Sequence, residues 1–91
     1  MFALRRHPVR MIPTRHDILD LAEAVRLART GEAKEIRNRC GVSANAMGAA
    51  SGVSGSAITR WENGDRRPTG QAAVVWVRLL RELAKADRKA R

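Results

Sequence analysis

Apolar residues recur at three- and four-residue spacing along most of this chain, the period of helices that bury one face. Ile18, Leu21, Ala22, Val25 and Ala28 form one such stripe and predict a helix from about Arg15 to Thr30. Thr14 and Asp17 stand at capping-box spacing before it, with Asp17 in place of the usual Glu. Asp17, Asp20 and Glu23 fall in its first half and Arg26 and Arg29 at its end, the order that the helix dipole favours. A second apolar set, Ala33, Ile36 and Cys40, continues the pattern from Glu32 to Cys40, where Gly41 stops it. Thr30-Gly31 interrupts the run, and the pattern leaves open whether residues 15–40 make one bent helix or two.

The stretch Ser43–Gly64, SANAMGAASGVSGSAITRWENG, predicts two short helices, about Ala44–Ser51 and Gly55–Asn63. Ser43 and Ser54 are placed to cap their first turns, since a short hydroxyl side chain accepts from the free amides of a helix start. Gly52 lies between them, where a left-handed residue must end the first helix. Met47, Val53, Ile58 and Trp61 share one apolar seam. Gly48 costs about 1 kcal/mol against alanine inside a helix, which implies a close helix crossing. Asp65–Gly70 reads as a loop, and a last helix follows from about Gln71 to Ala86. Its stripe of Ala73, Val74, Val77, Leu80 and Leu83 is widened by Trp76 and Leu79. That width serves both a core and a partner, so Val74, Trp76 and Leu80 are candidate interface residues. Strand patterns are missing. The expected fold is all-α, a compact bundle of about five helices spanning residues 14–86. A basic arm (1–13) precedes it and a charged tail (87–91) follows.

Charge narrows the class of partner. The net charge is +9, from 18 Lys and Arg against 9 Asp and Glu, which suits a polyanion such as nucleic acid. Residues 1–16 carry +4, residues 17–64 balance to zero, residues 65–70 carry +1 and residues 71–91 carry +4. The cations therefore flank a nearly neutral pair of helices. In the arm, Pro8 and Pro13 deny regular helix, and Arg5, Arg6 and Arg10 meet no acidic residue. These three arginines are candidates for the minor groove or for phosphate.

Cys40 is the only cysteine, so neither an internal disulfide nor a cysteine zinc cluster is expected. The first residues hold no apolar stretch long enough for a signal peptide or a membrane span. A reducing interior is the expectation. Enzyme chemistry has little to build on. His7 and His16 are the only histidines, and neither stands at metal-ligand spacing with Asp or Cys. The serines lack a placed base, and no glycine-rich phosphate loop follows a strand. No cofactor, metal or small-molecule substrate is expected.

Residues 42–68 resemble the helix-turn-helix of the phage repressor and Cro family, also called the Xre family. The resemblance rests on Met47, Gly48 (usually Ala), Gly52-Val53-Ser54, Ile58, Trp61, Glu62-Asn63-Gly64, Arg66, Arg67 and Pro68. It implies a lambda-repressor-like bundle whose second helix of the pair enters the major groove. By position it makes Ser54, Gly55, Ser56, Thr59 and Arg60 the base-reading residues, with Arg60 matched to guanine O6 and N7. Gly55 departs from the longer polar residue common in the family, and Ala44 from a common phosphate contact. Ser43, Asn45, Asn63, Arg66 and Arg67 then take the DNA backbone. The implied function is a sequence-specific transcriptional regulator acting as a homodimer on a double-stranded DNA operator. An antitoxin-like or adaptor module holding a partner with its last helix is the alternative.

Overall fold

The computed structural model describes residues 12–90, which form five helices. They are α1 (Arg15–Thr30), α2 (Glu32–Arg39), α3 (Ala44–Ser51), α4 (Gly55–Asn63) and α5 (Gly70–Ala90). The arm residues Arg5, Arg6 and Arg10 lie outside the described residues.

The start of α1 is held as its sequence predicts: Asp17 N–H donates to Thr14 Oγ1 and Thr14 N–H to Asp17 Oδ2, each at 3.1 Å. Gly31, at φ +85°, then breaks the chain into two helices rather than one bent rod. Its left-handed backbone turns α2 away from the α1 axis. α1 packs along α5, α3 packs against α4, and α2 bridges α1 and α5. The core between them is built from Leu27, Met47, Ile58, Trp61, Trp76, Val77 and Leu80 with small alanines at the crossings. The indoles of Trp61 and Trp76 meet at a centroid distance of 5.0 Å, tilted by 58°, a favourable arrangement for aromatic quadrupoles.

Three expectations change. The buried face of α1 is Asp20, Ala24, Leu27 and Ala28, whereas Ile18 is 58% exposed and Ala22 lies at the surface. A carboxylate sits on the packing face because α5 answers it: Arg78 Nε donates to Asp20 Oδ2 at 2.8 Å and Arg81 Nη2 to Asp20 Oδ1 at 2.5 Å. Arg81 also pairs with Glu23, and Arg78 with Asp17. An apolar stripe alone could not reveal a face completed by ion pairs. Second, Val74, Trp76 and Leu80 are fully buried, so they cannot form the partner surface expected of them. The α1, α2 and α3 helices cover the wide stripe of α5 from within the same chain. Third, the segment taken as a charged tail is helical as far as Ala90. Arg39 Nε donates to Asp87 Oδ2 at 2.8 Å and Cys40 Sγ to the Leu83 carbonyl at 3.5 Å, which ties this end of α5 to the end of α2.

Candidate nucleic-acid interface

The α3–turn–α4 unit is fixed at each joint by local chemistry. Ser43 Oγ accepts from Ala46 N–H and Ser54 Oγ from Ala57 N–H, each at 3.0 Å, and these bonds start α3 and α4. Gly52, at φ +85°, ends α3. The turn folds back so tightly that a Cβ on Gly48 would stand 2.6 Å from the Val53 carbonyl oxygen and 2.8 Å from that of Ser54. Gly48 is therefore required by the turn backbone, not by a helix crossing. Gly55 has a related cause: a Cβ there would overlap Asn45 Oδ1 and lie 3.0 Å from Asn45 Cα. Its missing side chain lets the first turn of α3 lie against the first turn of α4.

One face of α4 holds the helix in place. Ile58 and Trp61 are buried, and so is Glu62, whose side chain is 2% exposed. Arg37 of α2 grips that carboxylate with both arms of its guanidinium, Nε to Oε2 at 2.6 Å and Nη2 to Oε1 at 2.9 Å. Its third arm, Nη1, donates to the Val42 carbonyl at 2.9 Å. The hydrogen bond to Glu62 raises the Arg37 pKa above its ordinary value against the opposing effect of burial, so the guanidinium stays charged. This anchor fixes the end of α4 to both α2 and the segment leading into α3. Nothing local in the sequence marks Arg37, because its partner lies 25 residues away.

The other face of α4 is open. Ser54, Ser56, Thr59 and Arg60 are exposed and Gly55 is half-buried. Gly55, Ser56, Thr59 and Arg60 line one shallow groove with Ala44 and Asn45. Thr59 donates its hydroxyl proton to the Gly55 carbonyl at 3.1 Å, which leaves its lone pairs to accept. Beyond α4, the N–H groups of Asp65 and Arg66 donate to the Arg60 carbonyl at 2.9 and 3.2 Å and set the direction of the loop. Ser43, Asn45, Asn63, Arg66 and Arg67 are all exposed around this edge. Charge is divided unevenly over the surface. Arg26, Arg37, Arg39, Arg78 and Arg81 are each paired with a carboxylate. Arg60, Arg66 and Arg67 are exposed and have no such partner among the described residues.

Two short capped helices that meet at a left-handed glycine, the second braced behind and polar in front, define a helix-turn-helix domain. Residues 30–90 match the model of the family described as Helix-turn-helix domain, and the chain belongs to that family. Comparison with curated proteins finds no match, and comparison with solved structures finds none. The domain class is that of a DNA-binding regulator. No helix among the described residues is long and apolar enough to cross a membrane.

Proposed function

We propose that this chain is a small sequence-specific transcriptional regulator of the phage repressor and Cro type. In this reading it acts in a bacterial cytoplasm and lays α4 in the major groove of a double-stranded DNA operator. The supporting observation is the pair Ser56 and Arg60, exposed on one side of a helix whose opposite side is locked into the core. A guanidinium on a rigid helix is a fork suited to guanine O6 and N7. Ser54, Ser56 and Thr59 supply hydroxyls for base edges or phosphate, and Gly55 admits close approach of the backbone. Ser43, Asn45, Asn63, Arg66 and Arg67 hold the two strands and set the register, since phosphate contacts position while base contacts specify. Arg5, Arg6 and Arg10 extend along the duplex.

One recognition helix covers one half-site, so the working unit is a homodimer on an inverted pair. Ile12, Ile18 and Leu19, the large apolar side chains left exposed among the described residues, gather at the start of α1 and supply the surface for a second copy. Sedimentation should give a dimer, free or on DNA; a monomer in both states contradicts this. The alternative, a partner module working through the last helix, loses its surface because Val74, Trp76 and Leu80 are sealed in the core. Selection from a random duplex pool tests the main reading. It should return duplexes with a shared motif in inverted copies, and enrichment of no duplex would refute it.

A further inference from the structure

Between the end of α1 and the loop after α4 lies an open cleft of about 380 Å³. Arg29 lines it from α1, Arg66 and Arg67 from the loop, and Asn63 from the end of α4. All three guanidinium groups are exposed, and none meets a carboxylate among the described residues. Glu62 also borders the cleft, but both of its oxygens are taken by Arg37. Asp65, in the same loop, does not line it.

The contrast with the rest of α1 is informative. Arg26, three residues earlier, pairs with Glu23 and Glu32, and the acidic side of α1 is matched by Arg78 and Arg81. At its last turn α1 presents Arg29 with no counter-charge among the described residues, and it does so beside two more. Three like charges around one concavity repel one another, and an anion between them reverses the sign of the interaction. Guanidinium forks favour an oxyanion over a halide by planar two-point hydrogen bonding, and a duplex offers its oxyanions as backbone phosphates. The cleft opens next to Asn63 and Gly64, at the end of α4, where a helix lying in the major groove approaches the flanking strand.

We propose that Arg29 extends the edge formed by Arg66 and Arg67 by one further backbone phosphate of its own, beyond the bases that α4 reads, so that α1 widens the footprint. This rests on the reading of α4 as the recognition helix.

The test uses the full-length chain, wild type and Arg29→Gln, on a labelled random-sequence duplex over a range of salt. Each neutralised phosphate contributes about 0.9 to the slope of log affinity against log salt. R29Q should lower that slope by about 0.9, which is an affinity loss of about eightfold at roughly 0.1 M salt that vanishes near 1 M. Arg29→Lys should restore most of the slope. Methylphosphonate substitution of the selected duplex, one phosphate at a time, reports on the contact without altering the protein. One position outside the protected bases should weaken wild-type binding and leave R29Q indifferent. An unchanged slope in R29Q, while Arg60→Ala loses sequence preference, overturns the role of Arg29 and leaves α4 standing. Wild-type protein that ignores duplex at every salt concentration overturns both. Inorganic pyrophosphate, titrated onto the free chain, separates the other source of phosphate. Saturable binding that R29Q abolishes, with the duplex slope unchanged, would assign the cleft to a free phosphorylated ligand and overturn the duplex contact.

Discussion

Replacing Arg37 by Met should destabilise the domain more than any change on the open face of α4. The Arg37 side chain is 12% exposed and its partner Glu62 2%, and three hydrogen bonds of 2.6, 2.9 and 2.9 Å leave with the guanidinium. Methionine fills much of the volume but leaves a carboxylate in the core and the Val42 carbonyl without its donor. Removing one partner of a buried ion pair costs about 3–5 kcal/mol. A small domain has only about 5–15 kcal/mol in total, so R37M should lie near the edge of folding at ambient temperature. The double variant R37M/E62M removes the stranded charge and should recover most of the loss, because a buried pair and an apolar replacement are close in energy. Urea denaturation followed by far-ultraviolet ellipticity measures all four corners of the cycle. If R37M costs under about 1 kcal/mol, or if the double variant is as damaged as the two single losses added, the bidentate anchor is not what fixes α4.

That anchor also marks where the sequence stops being legible. Bonds between near neighbours can be read from the chain alone: Thr14 with Asp17, Ser43 with Ala46 and Ser54 with Ala57 each span three residues, and the geometry follows from residue type. Gly52 announces its turn for the same reason. The pairs that set the bundle span 25 residues from Arg37 to Glu62 and 58 from Asp20 to Arg78, and no local pattern encodes them. The apolar stripe of α1 points to the wrong rotation because the packing face includes a carboxylate, Asp20, whose partners Arg78 and Arg81 lie on α5. The stripe of α5 reads as serving both a core and a partner, because nothing in its own sequence says that α1 will cover so much of it. The open face of α4 is legible for a local reason. An exposed face is what remains when Ile58 and Trp61 turn inward, and their spacing alone places Ser56 and Arg60 outward. The reason for Gly55 was hidden, since Asn45 reaches it only after the turn has closed.

Two further outcomes follow from the charges. Burial opposes ionisation of Asp20, but hydrogen bonds from Arg81 and Arg78, with their charges, outweigh it and hold its pKa below the ordinary value. A depressed carboxylate pKa stabilises the fold above the unfolded value and loses that contribution as pH falls through the folded one, so stability should decline below about pH 4. Asp20→Asn should flatten that acid limb in a pH series of denaturation midpoints, with a loss at neutral pH of about 1–2 kcal/mol once the half-exposed arginines are allowed for; an unaltered limb would refute the assignment. Deleting residues 1–13 should weaken binding alike for all duplex sequences and lower the salt slope, and an unaltered slope would dispose of the arm as a phosphate contact.

The central claim is that α4 reads base edges in the major groove through Arg60. Dimethyl sulfate methylates guanine N7 on that groove's floor, so protection of a guanine in a selected duplex reports the contact where it is made. Wild-type protein should protect at least one guanine in each half-site. Arg60→Ala should expose that guanine, lose about 1–3 kcal/mol of affinity and relax preference at that position. Protection that persists in R60A, or tight binding with every N7 open to reagent, would contradict it.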